Sequence, residues 1–480
     1  MPHRLSRRIT EVLALDPAAD ALQYDGSWLT WRELGTAAGE VAGLVGPGSR
    51  VGIMLRNRPA HVAALLGVLQ AGGTVVVINP SRGDERTRDD IAALDLPTII
   101  GTTDDVDRLV DPGLDCTVIA LDDTARVIRY SIDRQPDPGR PGVAVWMLTS
   151  GTTGPPKRID LTYDMLAHSV MGSSATPTEL RRGVAIVNSP LVHVGGVFRI
   201  LLCIAEARPF VLLEKFELQK WAAAVRAHRP RAVSLVPAAL RMVLHSDLTR
   251  DDLAGVHAVT SGTAPLSADD ADAFTAKFGI PVLTSYAATE FGGGVAAWTL
   301  ADHQSYWTAK RGSVGRANPG AGLRVVGDDG TVLGPDQAGL LEVKPAQLGE
   351  DAGWMRTTDL ARIDADGFLW ILGRADQAII RGGFKVMPDD VRAALESHPD
   401  VLGASVVGRP DERLGEVPVA LVELRAGQTL SAEVLSDHLR TRLSRYEIPA
   451  EIVFTDEIPR TPSGKPDLRA VREHFTEHAR

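Results

Sequence analysis

A glycine- and threonine-rich segment followed by a lysine is the first candidate for chemistry. The segment MLTSGTTGPPKR (residues 147–158) runs from an apolar strand into Thr149–Gly154 and on to Lys157. Glycines allow a backbone to approach an anion closely, and consecutive N–H groups and hydroxyls can surround phosphate oxygens. A Walker A loop would require Gly-Lys-Ser/Thr, whereas Pro156 precedes the lysine here. The segment indicates phosphate binding, and its alternative is an ordinary surface loop.

Three further segments carry candidate polar groups. In SYAATE (285–290), a tyrosine can stack on a base, a threonine can meet a phosphate and a carboxylate can hold Mg²⁺. In RTTD (356–359), the carboxylate of Asp359 suits a pair of ribose hydroxyls, and Asp359 is placed where a strand enters a turn. PRTPSGKPD (459–467) presents Lys465. Each has a plainer alternative, respectively a structural hexapeptide, a turn-capping aspartate and a solvated lysine.

Composition limits the partners of these groups. The chain of 480 residues has 51 Lys+Arg and 61 Asp+Glu, a net charge of −10, so it has no global electrostatic reason to bind nucleic acid or an anionic membrane. Cys116 and Cys203 are far apart in sequence, which argues against a disulfide framework and a cysteine-ligated zinc. Neither a signal peptide nor a membrane span is readable, so a cytoplasmic location is expected.

The elements that must position these groups alternate between helix and strand. The residues 60–70 have helical spacing, the β-branched run 74–79 follows as a buried strand, and 221–228 with 232–236 repeat the alternation. This pattern predicts an α/β fold with parallel sheets. From about residue 375 the sequence pattern changes. It predicts a hairpin near Gly382-Gly383, a charged helix, two strands, another helix and a polar tail. We therefore expect a large domain, 1–375, and a small α+β domain, 376–480.

In their order and separation these segments resemble the adenylate-forming superfamily, and the resemblance is strongest to acyl-CoA and aryl-CoA synthetases. It extends over nearly the whole chain, from LLGVLQAGGTVVVINP (65–80) through LTSGTTGPPK, PLVHVGGV (190–197), SGTAPLS (261–267) and SYAATE to RTTDLARIDADGFLWILGRAD and RTPSGK. The family attaches a carboxylate to the α-phosphorus of ATP, releases pyrophosphate, and then transfers the acyl group to a thiol. The resemblance therefore implies ATP, Mg²⁺ and CoA as cofactors and a small carboxylic acid as substrate.

Carried over residue by residue, the resemblance implies a nucleotide site. Tyr286 would stack on the base, Asp359 would bind the ribose with Arg374 close by, and Thr149 to Lys157 would cradle the outer phosphates. The implied ATP- and AMP-binding residues are Thr149, Ser150, Gly151, Thr152, Thr153, Gly154, Lys157, Thr263, Ala264, Pro265, Thr284, Ser285, Tyr286, Asp359 and Arg374. The implied catalytic residues are Lys465, Glu290, Thr289 and His193, with Glu290 also the metal ligand and Lys465 bridging the attacking carboxylate and the α-phosphate.

The resemblance also implies a domain movement and an acid pocket. Asp376 matches the hinge, about which the small domain would rotate after adenylation to place Gly382, Gly383 and Phe384 beside the CoA pantetheine. The implied acid pocket comprises His193, Gly195, Phe198, Gly292 and Gly293. We expect the glycines near 292–294 to leave room for a bulky or long acyl group, because they contribute no side chains. Trp298 is expected to be plain core.

The chain departs from the family's pattern at four places. Thr358 and Ala287 stand where glycine is usual, Arg158 replaces the glycine after the loop lysine, and Pro466 follows Lys465. None of these changes removes a charged group, so catalytic activity is expected.

Three functions remain in competition. Amino-acid adenylation domains of the superfamily usually carry an aspartate near the position of His193 to bind the substrate ammonium, and PLVHVGGVF has none, so an acid without an α-amine is favoured. CoA is favoured as the acceptor because PLVHVGGV and IIRGGFKVMPDDVR resemble free-standing CoA ligases. Loading of the acid onto a carrier-protein phosphopantetheine is the alternative, and a non-catalytic nucleotide-binding regulator is the remote one. The identity of the acid (fatty, aryl or polycyclic) and the oligomeric state, with a homodimer among the options, stay open.

Overall fold

The computed structural model describes residues 1–81, 83–122, 127–131, 140–149, 157–172, 176–381, 384–411, 413–461 and 464–477. Its strands are β1 Asp20–Tyr24, β2 Ser27–Thr30, β3 Arg50–Met54, β4 Thr74–Ile78, β5 Thr98–Thr102, β6 Thr117–Leu121, β7 Val127–Ser131, β8 Val143–Thr149, β9 Lys157–Thr162, β10 Ala185–Val187, β11 Phe210–Leu212, β12 Ala232–Ser234, β13 Ala258–Ser261, β14 Val282–Ala288, β15 Gly293–Ala297, β16 Arg316–Ala317, β17 Gly322–Val326, β18 Gly339–Lys344, β19 Met355–Ile363, β20 Leu369–Arg374, β21 Ile379–Arg381, β22 Phe384–Val386, β23 Val401–Asp411, β24 Gly415–Leu424 and β25 Glu451–Thr455.

Helices alternate with most of these strands. They are α1 Arg4–Leu13, α2 Trp31–Val45, α3 Pro59–Gln70, α4 Asp84–Leu94, α5 Thr103–Leu109, α6 Tyr163–Met171, α7 Val194–Ala205, α8 Leu218–His228, α9 Pro237–Leu244, α10 Ala268–Phe278, α11 Leu300–Tyr306, α12 Pro388–Glu396, α13 Ala432–Arg440 and α14 Leu468–Glu477, with single 3₁₀ turns at Thr289–Phe291, Ala346–Leu348 and Ala375–Gln377. None of the described helices is long and apolar enough to cross a membrane.

A seven-stranded sheet, in the order β7-β6-β5-β3-β4-β8-β9, organises the first 170 residues. Its five central strands are parallel, while β7 and β9 pair antiparallel at the edges. β4 is buried along its whole length, and the side chains of α3 are buried from Pro59 to Leu69, because helices cover this part of the sheet. The predicted α/β fold with parallel sheets is confirmed.

A second sheet, in the order β12-β13-β14-β15-β16, supplies one wall of the candidate site. β12, β13 and β14 are parallel, and the register Ser261↔Thr284 brings the ends of β13 and β14 together. Ligands of open α/β sheets bind at the carboxyl ends of such strands. Trp298 packs in a small core beside this sheet at 4% exposure, as expected.

An antiparallel sheet, β17-β18-β19-β20, leads into the last hundred residues. Asp359 lies inside β19, opposite Arg374 in β20, so the expected turn at Asp359 is wrong. The strand continues because the backbone N–H of Asp359 donates to the Thr357 hydroxyl (3.0 Å) and Leu360 pairs onward with Gly373.

The residues after 376 form their own sheet, β22-β21-β24-β23 with β25 beside β24. α12 and α13 pack against one apolar cluster, and a second cluster includes Val471 and Phe475 of α14. The expected polar tail is wrong, because β25 pairs in parallel with β24 and α14 buries these two side chains. The division of the chain at 375/376 stays a prediction.

Candidate active site

The end of β14 places the first group of candidate residues. Thr289 and Glu290 form a 3₁₀ turn directly after the strand, and Gly292 closes it at φ +69°, a conformation that favours glycine. On the neighbouring strand β13, the chain leaves the sheet through Thr263 at φ +71°. Thr263 and Pro265 are exposed, and Ala264 lies half-buried between them. These residues therefore line one open edge of the sheet.

Two hydroxyl groups of β14 hold the strand to its neighbours, one to the end of β13 and one to the loop at Ser313. Thr284 donates to the carbonyl of Ser313 (3.1 Å) and Ser285 to the carbonyl of Ser261 (3.5 Å). A Cβ at Gly262 would lie 2.8 Å from the Ser285 hydroxyl, so a glycine is needed for the two strand ends to approach this closely. Thr284 and Ser285 thus hold the backbone of the site.

Tyr286 and Asp359 meet across two sheets. The Tyr286 hydroxyl donates to Oδ2 of Asp359, although 73 residues separate the two along the chain. Burial raises the pKa of the Asp359 carboxyl, and the Tyr286 bond and the charge of Arg374 oppose that rise. Burial and the Asp359 charge raise the pKa of Tyr286. At neutral pH the phenol is therefore a donor, and the carboxylate keeps acceptor capacity for a further ligand.

Arg374 is held beside this pair by Thr358. Its Nε and Nη2 donate to the Thr358 hydroxyl (3.1 and 2.6 Å), and Nη2 also donates to Asp376 (2.9 Å). The nearest approach of Arg374 to Asp359 is 3.9 Å. The threonine that replaces the family's glycine therefore orients the arginine, a role that the sequence alone did not indicate.

Lys465 comes to the same place from the end of the chain. The Thr461 backbone N–H donates to the Lys465 carbonyl (2.7 Å), and Arg460 pairs with Pro466, so a turn presents the lysine. The surrounding protein and Arg374 lower the pKa of Lys465, whereas the charges of Glu290 and Asp359 raise it. The ammonium thus lies within the electrostatic reach of three candidate residues that precede residue 376, namely Glu290, Asp359 and Arg374.

His193 completes the group from the start of α7. Its Nε2 is buried and has no hydrogen-bond partner within the described residues. Burial, assisted by the Lys465 charge, lowers the pKa of His193 to about 4. A neutral imidazole with an unpaired ring nitrogen therefore stands beside the lysine, ready to contact a ligand.

Glu290 fits a magnesium ion that is shared with a nucleotide. The carboxylate is exposed and, with the described part of the chain, forms neither a hydrogen bond nor an ion pair. The described residues contain no cluster of three or more His, Cys, Asp or Glu that could hold a metal alone. Mg²⁺ is commonly bound by one or two carboxylates together with substrate phosphates, so one free carboxylate suits it.

The glycine- and threonine-rich segment is described only at its two ends. Thr149 donates to the carbonyl of Lys157 (3.0 Å) across the β8–β9 pair, and Lys157 is exposed. Ser150, Gly151, Thr152, Thr153 and Gly154 lie outside the described residues. Arg158, which stands where the family has glycine, donates to the carbonyl of Val77 in β4 (2.8 Å) and to Asp90 in α4 (2.6 Å). It therefore links β9 to both of these elements.

The predicted CoA-binding residues are described in part. Phe384 is 57% exposed and stacks on Tyr446 with ring centroids 4.7 Å apart, while Gly382 and Gly383 lie outside the described residues. An exposed aromatic pair is suited to contact an apolar ligand arm. Among the described residues, neither of these two rings is in aromatic contact with Tyr286, which packs against Phe291.

Two neighbouring side chains approach the glycines that we expect to leave room for the acyl group, and that expectation stays a prediction. A Cβ at Gly292 would lie 2.5 Å from Cε of Met165, and one at Gly293 would lie 3.2 Å from the hydroxyl of Ser169. Cε of Met165 is the free end of a flexible side chain, so these contacts narrow the space beside the glycines without closing it. Gly195 differs, since a Cβ there would meet nothing within 4 Å, and Phe198 lies half-buried three residues further along α7. The open part of the predicted acid pocket is at α7.

The comparison with known families agrees with this geometry. The family model described as "AMP-binding enzyme" matches residues 9–350, and "AMP-binding enzyme C-terminal domain" matches residues 390–465. The chain therefore belongs to the AMP-binding enzyme family, within the adenylate-forming superfamily, as its motifs indicated.

Individual relatives match over almost their full length. The chain is 29% identical to an indoleacetate–CoA ligase of Aromatoleum aromaticum, covering 98% of each sequence. It is 28% identical to a feruloyl-CoA synthase of an Amycolatopsis species, covering 96% of this chain and 97% of that one. ATP-bound MatB from Rhodopseudomonas palustris has the same fold, with a TM-score of 0.82 at 24% identity over the whole of both chains.

Proposed function

We propose that this enzyme joins a carboxylic acid to coenzyme A at the expense of ATP, with AMP and pyrophosphate as the other products. The observation that carries the proposal is the position of Lys465. A lysine from the last residues of the chain lies within electrostatic reach of Glu290, Asp359 and Arg374, which come from three separate segments of the large domain. Two anionic groups and two cations converging on one place suit a site where a nucleotide meets a carboxylate.

In the nucleotide site, the ribose would be bound by the carboxylate of Asp359. Tyr286 orients its carboxylate, and the remaining lone pairs would accept the ribose hydroxyls. Arg374, fixed by Thr358, would place its positive charge beside the same nucleotide. Thr263, Ala264 and Pro265 would line the adenine side, and Thr289 would contact the α-phosphate. Thr149, Lys157 and the intervening loop would hold the outer phosphates.

Magnesium would be held by Glu290 together with phosphate oxygens, and its charge would help to neutralise the triphosphate. Lys465 would stand between the acid and the α-phosphate. A carboxylate oxygen attacks the α-phosphorus, the bond to the bridging oxygen of pyrophosphate breaks, and the ammonium stabilises the charge on the pentavalent phosphorus. This is electrostatic stabilisation and alignment, without a proton transfer by the lysine. Neutral His193 would contact the acid without adding charge.

In the second half-reaction, the thiol of CoA would attack the carbonyl carbon of the acyl-adenylate, and AMP would leave. This step needs the acceptor where Lys465 stands in the present arrangement. We propose that residues 376–480 rotate about Asp376 and bring Gly382, Gly383 and Phe384 beside the pantetheine arm. Domain movements of this kind control the successive steps of many enzymes.

The test is carboxylate-dependent pyrophosphate release with ATP and Mg²⁺, with and without CoA, with products identified by mass. The acid panel begins with aryl acids because two relatives are named for indoleacetate and feruloyl groups. Steady turnover only with CoA, together with an acyl-CoA product, is expected. Release that stops after one equivalent despite CoA would instead indicate a carrier-protein acceptor. ATP binding without release by any acid would favour the non-catalytic regulator.

A further inference from the structure

Helix α7 presents two unlike faces. One face is buried in the main core, through Gly196, Val197, Ile200, Leu201, Cys203, Ile204 and Ala205. The other face is half-buried, and four of its residues fall at the spacing i, i+3, i+4, i+7 of a single helical stripe, namely Gly195, Phe198, Arg199 and Leu202. Three of the four are glycine or apolar. Arg199 is the one charged member of this α7 stripe.

Arg199 has a fixed position but no counter-charge among the described residues. Its Nη2 donates to the hydroxyl of Thr260 (3.1 Å), which itself donates to the carbonyl of Val233 (3.4 Å). The nearby carboxylate is Glu206, and it is paired with Arg208 at 2.9 Å. In the described part of the chain no carboxylate forms an ion pair with Arg199.

The charge on Arg199 is consequently uncompensated. Burial lowers the pKa of its guanidinium, yet an arginine remains protonated in a protein. The neighbouring Cys203 thiol supplies no negative charge, because burial raises its pKa to about 12. Leaving a cation partly desolvated without an anion is unfavourable, so a site of this kind gains from an anionic ligand.

Open space lies along the α7 stripe at Gly195, which belongs to the predicted acid pocket. Gly195 precedes Arg199 by one helical turn on the same stripe, and a Cβ built there meets nothing within 4 Å. His193 lies at the start of the helix, and the charge of Lys465 contributes to lowering its pKa. Six residues separate His193 from Arg199, which corresponds to about 9 Å along the axis of an α-helix.

Resting on the proposed function, we infer that Arg199, held in place by Thr260, binds a second anionic group of the acyl substrate. The acid would then be a dianion, with one carboxylate activated beside His193 and Lys465 and an oxyanion, carboxylate or sulfonate, at the far end of an apolar body. Phe198 and Leu202, which are half-buried and also pack against the main core, would contact that body with their exposed parts. A guanidinium can bind either oxyanion through two parallel N–H bonds, which gives direction as well as charge.

The first test needs only the natural protein. The kcat/KM for CoA-dependent pyrophosphate release is measured for matched acids: phenylacetate, 4-methylphenylacetate, 4-carboxyphenylacetate and 4-sulfophenylacetate, and octanoate with suberate. We expect a preference on the order of 100-fold for the members that carry the second anion. The carboxylate and sulfonate arms separate the two oxyanions. Equal or better turnover of the monoanions would overturn the inference.

The second test removes the charge. Arg199→Gln retains a donor for Thr260, and we expect it to lose on the order of 100-fold in kcat/KM with the dianions while the monoanions change by less than about threefold. Arg199→Lys should recover part of the loss. Arg226→Gln, which removes an equal charge from the ion pair with Asp252 and leaves Glu206 paired, is the matched control and should leave the ratio unchanged. Equal loss with both acid classes would mean that Arg199 only supports the fold.

A binding measurement separates this inference from the proposed function. Titration calorimetry of 4-carboxyphenylacetate and suberate into the protein with AMP should show binding that Arg199→Gln weakens and Arg199→Lys partly restores, whether or not turnover occurs. No pyrophosphate release with any acid would contradict the proposed function alone. Turnover of monoanions, without preferential binding of dianions, would contradict this inference alone. If Arg199→Gln does not fold, as judged by thermal unfolding, the natural protein and Arg199→Lys decide the question.

Discussion

Arg241 in α9 and Glu396 in α12 form an ion pair that joins the large and small parts of the chain. Nη2 of the arginine lies 3.1 Å from Oε2 of the glutamate, and their side chains are only 14% and 9% exposed. Arg241 also binds Asp270 at 2.7 Å, and Glu396 also binds Arg392 at 2.8 Å. The pair is thus the centre of a charge network that holds the small part in the arrangement that brings Lys465 to the site.

Arg241→Gln should therefore slow adenylate formation more than thioester formation. Losing one partner of a largely buried pair leaves Glu396 undercompensated and weakens this arrangement, and we expect about a tenfold loss in the single-turnover rate of adenylation. Thioester formation from a preformed adenylate should change less. Arg226→Gln breaks the exposed pair with Asp252 and serves as control. An unchanged adenylation rate would show that the pair does not hold the domains.

Lys465→Ala should abolish most of the first half-reaction while ATP still binds. The change removes the cation that we propose to lie between the acid and the α-phosphate, and loss of such a group costs on the order of 100- to 1000-fold in rate. Pyrophosphate release and calorimetric ATP binding are measured side by side. Arg469→Ala, four residues further along and exposed in an ion pair with Glu473, is the control. Full activity in Lys465→Ala would refute the catalytic assignment.

Asp376→Pro should leave adenylation largely intact and block thioester formation. Proline fixes φ and restricts the residue before it, so a rotation centred on this residue would be hindered. Asp376→Ala is the matched variant, because it also loses the bond from Arg374 but keeps the backbone free. The two half-reactions are measured separately for both variants. Equal loss of both steps in Asp376→Pro, or the same defect in Asp376→Ala, would place the hinge elsewhere.

His61 should make the fold sensitive to acid. The side chain is fully buried in α3, and neither ring nitrogen has a partner among the described residues. Burial lowers the pKa of His61 from 6.5 to about 4, with Asp105 opposing and Arg56 and Arg58 assisting. Between these pH values the unfolded chain binds a proton that the folded chain does not. The free energy of unfolding must therefore fall as the pH drops from 6.5 towards 4.

His61→Leu should flatten that dependence. Relative to the natural protein, we expect the variant to gain about 2–3 kcal/mol at pH 4.5 compared with its difference at pH 7, as determined by urea unfolding. Comparing the two pH values cancels any change in packing, because packing contributes equally at both. His257→Gln, at an exposed position, should show no such gain. Parallel pH profiles for His61→Leu and the natural protein would contradict the assignment.

Local patterns predicted much of the fold because the responsible interactions are local. The β-branched run of β4 and the continuous apolar helix α3 are each recognisable within a stretch of about a dozen residues. β25 and α14 were missed because each is short and flanked by polar residues, while the pairing of β25 with β24 and the burial of Val471 and Phe475 are tertiary contacts. The bond from Tyr286 to Asp359 and the pair of Arg241 with Glu396 depend on tertiary contacts, which no local pattern contains.

The turn that carries Lys465 is followed at once by α14, whose Val471 and Phe475 are buried with Val407, Val419 and Leu421 of β23 and β24. The ammonium group of Lys465 is thus held in position by a helix that itself contributes no group to the chemistry. A premature stop codon or a protease cut between Pro466 and Val471 would spare every proposed reacting side chain and still release the lysine. Loss of activity in such a shortened product would result from a lysine that is no longer held at the site.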